Sequence, residues 1–377
     1  MDSGSDHIGI SVAITVRNDR DGLKELLPAL AGQTRVPDEI VIVDGGSLDG
    51  TPDVVSEVDL NGIDVRLVVR PGANIAAGRN AAVQLAKHDR IAFTDAGCRP
   101  EPQWLAALDR ALDRADLVGG IFVTDARTQF EKAIALTHYP VREELSQSSW
   151  LIRLSHSLFG RQYLPYRAGG RSMAFTRSTW AAVGGFPELQ YAGEEQAFAR
   201  ATAERGFKNV LEPDAVVHWR PPSSWIANAR MFYRYCRGDV RSKGRSRHLL
   251  RAAAYTCGPV FASRGGWRTR VLMGSGTVAY AALPLQRARA ARISPTSWWR
   301  IPIAIALKDL SQIAGAVHGT LDALRGVPQP TPQPSPRSSA FTAPNSPEPK
   351  AASAEAPFVG RSSVGGQHGL GPRNPST

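Results

Sequence analysis

Carboxylates recur in this chain at places where a strand should end. Asp44 lies in Val43-Asp44-Gly45-Gly46-Ser47 and Asp95 in Thr94-Asp95-Ala96-Gly97-Cys98, while the adjacent pair Glu194-Glu195 follows Gly193 and His218 precedes Trp219. An aspartate beside glycines is placed to accept a hydrogen bond from a heterocycle N–H while the backbone comes close to the ligand. A second strand-end aspartate offers hard oxygen to Mg2+ or Mn2+ on a diphosphate, with Arg79, next to Asn80, adding positive charge. Adjacent carboxylates raise one another's proton affinity when partly buried, which suits a general base. In this order the residues fit an enzyme that handles a nucleotide-activated sugar: it must recognise a base, neutralise a departing diphosphate and deprotonate a hydroxyl. Each strand-end aspartate also reads as a helix cap or turn former, and His218 as a hydrogen-bonded histidine packed beside Trp219.

The elements that must position these groups follow from periodicity. Residues 8–16 and 39–43 are nearly continuous β-branched runs, the pattern of strands buried on both faces, and 65–69, 90–94 and 117–123 read the same way. Helices are predicted over 23–31, 51–58, 75–87 and 104–115. Strand and helix alternate with short connections, so the fold class is α/β, a mainly parallel central sheet with helices on both faces. Ligands of such sheets bind beyond the carboxyl ends of the strands, where Asp19, Asp44 and Asp95 gather at one rim. The middle, 130–166, reads as helical and aromatic. A strand over 169–175 enters through a tight glycine turn, a helix follows over 177–183, another over 197–205 has Glu194-Glu195 at its start, and a strand returns over 210–219.

The chain has 377 residues and a net charge of +11. The charge is concentrated: residues 227–300 hold fifteen Lys or Arg and one acid, Asp239, so they carry 15 − 1 = +14 and the rest sums to 11 − 14 = −3. Two uncharged apolar runs, 271–285 and 301–307, lie among these arginines, and neither reaches the ~20 residues of a membrane span. They read either as core helices of an accessory region or, with Trp298 and Trp299, as elements of a membrane interface. Aromatics alternating with arginine over 232–244 suit a lid or an acceptor-binding element. No nucleic-acid-binding motif accompanies them, so no nucleic-acid partner is expected. Cys98, Cys236 and Cys257 form no framework and the N-terminus has no basic-then-apolar signal, which places the chemistry in the cytoplasm. After Gly326, Pro, Ser, Ala and Gly dominate, a composition that builds no core.

On these residues the chain resembles family 2 glycosyltransferases with a GT-A fold, over roughly 8–220. The opening strand into a loop with Asn is similar to the stretch holding Val16 and Asn18. The nucleotide-binding Val-Asp-x-Gly/Ser-Ser-x-Asp-Gly-Thr run is similar to residues 43–51, which implies donor contacts at Asp44, Gly45 and Ser47. The Arg-Asn pair corresponds to Arg79-Asn80, and the Asp-x-Asp metal motif to Asp95-Ala96-Gly97. The glycine-rich acceptor strand resembles Gly169, Gly170 and Arg171, and the base motif falls on Glu195, with Glu194 its alternative. Some members use a late histidine as a metal ligand, which implies that role for His218. Gly97 departs from the motif's second carboxylate, leaving metal binding to Asp95, the diphosphate, water and His218. Glu195 is one methylene longer than the usual aspartate.

The resemblance implies an inverting transfer from a nucleotide-diphosphate sugar to an acceptor hydroxyl, with residues 8–225 as the GT-A domain, 226–325 as a basic, partly apolar helical region for acceptor or membrane association, and 326–377 as a disordered tail. The basic region implies a glycan or lipid-linked acceptor of the cell envelope, met at the inner face of the membrane through peripheral contact. Two rivals stand beside it: a nucleotidyltransferase, which would open on a glycine-rich, lysine-bearing loop absent after residue 16, and a non-catalytic nucleotide-sugar or glycan-binding protein.

Overall fold

The β-branched runs form the parallel half of one sheet. The computed structural model describes residues 8–139, 141–142, 169–189, 193–241 and 245–327. The tail beyond 327, and most of the segment expected to be helical up to 166, lie outside these residues. Strands β1 (Ile10–Val16), β2 (Glu39–Asp44), β3 (Asp64–Val69) and β4 (Arg90–Asp95) pair in parallel. The sheet continues through β7 (Met173–Thr176), antiparallel to β4 and β6, then β6 (Leu117–Thr124), β8 (Asn209–Trp219) and the short β5 (Cys98–Pro100), in the order β3-β2-β1-β4-β7-β6-β8-β5. β5 was not expected; three residues are too few for a periodic signal, and its proline is tolerated because the strand sits at the sheet edge. Strand β7 starts later than expected because Gly169 to Ser172 close a turn, with Ser172 N–H donating to Gly169 O at 3.1 Å.

Successive strand residues face opposite layers. Ile10, Val12 and Ile14 pack with α1 (Arg20–Ala31) and α4 (Trp104–Leu112), whereas Ala13, Val41 and Val43 pack with α3 (Ile75–Leu85), α6 (Arg177–Val183) and α7 (Glu194–Glu204). In α1, Leu23, Leu26, Leu27 and Leu30 are all fully buried, the i, i+3, i+4, i+7 stripe of an amphipathic helix. Each such side chain contributes about 1.5–3 kcal/mol on burial.

The C-terminal helices close onto this body. Helix α8 (Trp225–Arg241) runs along α11 (Arg300–Leu324), which also meets α5 (Gln129–His138). Gly315 and Gly319 permit the close approach, since a Cβ on Gly319 would stand 2.5 Å from Arg237 O. Phe232 and Ala304 belong to the same core as α1 and α4. Helices α9 (Arg245–Arg264) and α10 (Trp267–Ala290) are tied to α11 through buried Asp309, whose Oδ2 accepts from Tyr255 at 2.9 Å and Tyr280 at 2.6 Å. Among the described residues no helix is long and apolar enough to cross a membrane.

Candidate active site

Register places the acids. Val16 pairs with Asp44 and Thr15 with Asp95, so both aspartates stand at the carboxyl rim beside the loop that carries Asn18 and Asp19. Between the ends of β1 and β2 and the start of α3 lies a cavity of about 260 Å³ lined by Thr15, Val16, Arg17, Gly45, Asn74 and Gly78, among others. Gly78 is needed there for close packing, because a Cβ would stand 3.0 Å from Thr15 Cγ2. The expected residues Val16 and Gly45 are thus in the wall. Asp44 is fully buried and its carboxylate accepts from Ser47 N–H at 3.0 Å and from the Ser47 hydroxyl. Asn18 takes a left-handed φ of 53° and clasps the same turn, donating its N–H to Ser47 Oγ at 2.7 Å and accepting from Leu48 N–H at 2.8 Å. Arg17 and Asn74 were not expected in the wall; Arg17's place directly after the strand was the available signal.

The centre of the site is Arg79, on α3 and only 2% exposed. Its guanidinium reaches Glu194 Oε1 at 2.6 Å, Asp95 Oδ1 at 3.1 Å and Glu195 Oε2 at 3.6 Å. Burial alone would lower its proton affinity, but the charges of Asp95, Glu194 and Glu195 raise it, so it stays cationic. Both glutamates open helix α7, entered through Gly193 at φ 101°. Glu194 is 3% exposed, and burial, with the charge of Glu195 adding and that of Arg79 opposing, pushes its carboxyl up to about 8. The Glu195 side chain keeps 22% of its surface open, against 4% for that of Glu194. Asn80 braces the chain after α6, where its Oδ1 accepts from Phe186 N–H at 2.8 Å and Trp180 Nε1 at 3.0 Å, and its amide donates to Phe186 O.

The glycine turn that leads into β7 serves the same cluster. A Cβ on Gly170 would lie 1.9 Å from Arg79 Nη2, and the guanidinium there is pinned by three carboxylates. Gly170→Ala should therefore lower stability by about 1–3 kcal/mol and reduce turnover, whereas Gly169→Ala, with nothing among the described residues within 4 Å of its Cβ, should leave the melting temperature unchanged; thermal melts of the two variants check this. Arg171 lies with its guanidinium 4.0 Å from the Trp219 ring centroid and 4.9 Å from that of Phe122. It bonds the Tyr235 phenol of α8 and feels the charge of Asp95, while its buried Nε has no hydrogen-bond partner among the described residues. His218 lies near the carboxyl end of β8, where its Nε2 is 3.1 Å from Glu101 Oε1 and its register partner is Arg99.

The residues fit a divalent cation through oxygen. Asp95 is 31% exposed at its side chain, and at Gly97, where a second carboxylate is missing, the Cβ position is 3.3 Å from Asp19 Oδ2. Asp19 caps α1 from Gly22 N–H and its carboxyl is raised by burial, with Asp49, Asp21 and Asp95 adding. Among the described residues no group of three or more His, Cys, Asp or Glu is arranged to hold a metal ion by itself, so phosphate and water must complete the shell of a cation held here. Cys98, pushed up to about 12 by burial and by Asp95, is no thiolate ligand.

Residues 11–176 match the glycosyl transferase family 2 model. Glycosyltransferase AglE of Haloferax volcanii is 23% identical over 215 residues, 55% of this chain and 65% of that protein. Pre-mycofactocin glycosyltransferase of Mycobacterium tuberculosis is 27% identical over 340 residues, 84% of this chain and 65% of that protein. The chain thus spans somewhat under two thirds of the length of either relative. Among solved structures, the mannosyltransferase PcManGT from Pyrobaculum calidifontis, in complex with GDP-Man and Mn2+, superposes with a TM-score of 0.57 at 17% identity, covering 84% of this chain and 88% of its own. A sheet whose rim gathers Asp95, Arg79 and Glu194-Glu195 and a sequence that matches over the strands building that rim lead to one conclusion: over residues 11–176 the chain is similar to glycosyl transferase family 2, and its fold is that of the GT-A glycosyltransferases.

Proposed function

We propose that the chain moves a sugar from a nucleotide-diphosphate donor to an acceptor hydroxyl by a single inverting displacement. The observation that carries this reading is the open Glu195 carboxylate, held by buried Arg79 next to Asp95 and one residue along α3 from the cavity wall at Gly78. In this reading the nucleoside occupies the cavity, bounded by the turn that Asp44 and Ser47 hold in shape. The Glu195 carboxylate takes the proton of the acceptor hydroxyl as its oxygen bonds to the anomeric carbon, and the bond from that carbon to the diphosphate breaks with its electron pair on the leaving oxygen. Asp95 and Asp19 would hold the cation, which when bound supplies charge neutralisation at the diphosphate. Arg79 keeps Asp95 and Glu195 in fixed relative positions, and Glu194 positions Arg79. Arg171, on the turn assigned to the acceptor, is a cation ready for an anionic group. The basic C-terminal helices favour an acceptor carried on a lipid-linked or cell-envelope glycan, handled at the inner membrane face.

The test is release of nucleoside diphosphate from a panel of UDP-, GDP- and dTDP-sugars with and without Mn2+, with GDP-mannose, the ligand of PcManGT, tried first. One donor should turn over slowly, and Asp95→Asn should lower that rate roughly 100-fold. Tight calorimetric binding of a donor with no turnover, even when acceptors are added, would instead make the protein a nucleotide-sugar binder.

A further inference from the structure

Helices α9 and α10 leave an apolar surface uncovered. Phe261 is 59% exposed, Trp267 71%, Leu272 65% and Val278 67%. Along α10, residues 271–279 carry no charge on any side, and a helix apolar all round is normally buried in protein or in lipid. The two helices join at Gly265-Gly266, where Gly265 N–H donates to Phe261 O at 2.8 Å. Tyr255 and Tyr280 fasten both to Asp309 on α11, so the turn end of the hairpin projects beyond that anchor. Its charges are all positive. Arg264, Arg268 and Arg270 are exposed, and residues 251–300 contain no acidic side chain.

We propose that this hairpin docks the protein on an anionic phospholipid surface. From Tyr255 to the turn is about 15 Å of helix, half the ~30 Å hydrocarbon thickness, so the hairpin does not cross. Three arginines at the turn also oppose insertion tip-first, because a charge at the bilayer centre is costly. The hairpin therefore lies along the headgroup layer, arginines among the phosphates and Phe261, Trp267 and Leu272 at the acyl boundary. A second copy of the chain is a poorer occupant of this face, since it would bring the same arginines against one another. The inference concerns where the protein sits and stands apart from the transfer chemistry.

The experiment is sedimentation of the full chain with vesicles of phosphatidylcholine alone and of phosphatidylcholine mixed with phosphatidylglycerol. Binding should be confined to the anionic vesicles and should fall at high salt. Changing Arg264→Gln, Arg268→Gln and Arg270→Gln together should weaken partitioning roughly 100-fold, and Phe261→Ser with Leu272→Ser should weaken it at low salt too, with melting temperatures unchanged. Absence of binding to anionic vesicles, equal binding to both kinds, or a dimer that the serine variants disperse would each overturn the proposal.

Discussion

Glu195→Gln should lower turnover by about 10²- to 10⁴-fold, the usual contribution of a positioned base, with the donor KM little changed, because the amide keeps the size of the side chain and removes only its basicity. Donor-panel kinetics with a saturating acceptor check this. The pH profile separates the two glutamates. Burial and the neighbouring carboxylate hold the Glu194 proton up to about 8, so the pair becomes fully ionised only as pH rises through that region, and kcat/KM should climb until then. In Glu194→Gln the group that titrates there is gone, and the climb in that region should disappear. Stability runs the other way. The folded state holds this proton more tightly than the unfolded chain, whose ordinary value is 4.5, so the group's contribution is greatest below 4.5 and is lost as pH rises to about 8. If Glu194→Gln abolished turnover while Glu195→Gln kept it, the roles would be exchanged.

The largest loss of stability should come from Arg79→Leu. It leaves the carboxyl cluster of Asp95, Glu194 and Glu195 without its buried cation, and breaking a buried ionic cluster from one side costs about 3–5 kcal/mol. For a domain of this size that is a fall in melting temperature on the order of 10 °C. Arg79→Lys keeps a charge but not the planar fork that serves Glu194 and Asp95 at once, so it should recover part of the stability and little of the turnover. A scanning-calorimetry series over the three proteins decides. An unchanged melt in Arg79→Leu would show that the carboxylates are held apart by something else.

The parallel strands were readable because β-branched runs buried on both faces leave a signal in every residue, and the rim positions of Asp44 and Asp95 followed from where those runs stop. Local patterns carry no information about pairs brought together by tertiary structure. Asp19 reads as a helix cap, and it is one, yet its second oxygen faces the gap left by Gly97, 78 positions on. Gly170 reads as part of an acceptor strand, while its lack of a side chain makes room for Arg79. Asn80, expected at the donor, holds the Phe186 backbone, a role visible only once α3 and the turn after α6 are adjacent. The apolar runs near the C-terminus were legible as helices, but their periodicity does not say which faces another helix will cover.

Phe232 and Ala304 share a core with β1 and α1, and this bears on the order in which the protein is made. Domains tend to fold as they leave the ribosome, N-terminal parts first. Here the apolar face of α5 waits for Ile301 and Ile305, which enter the chain more than 150 positions after Leu136. Until synthesis reaches α11, the nascent sheet carries an open hydrophobic seam, so α11 acts as the closing piece of this body, and chains stopped short of it are natural clients for chaperones and proteases.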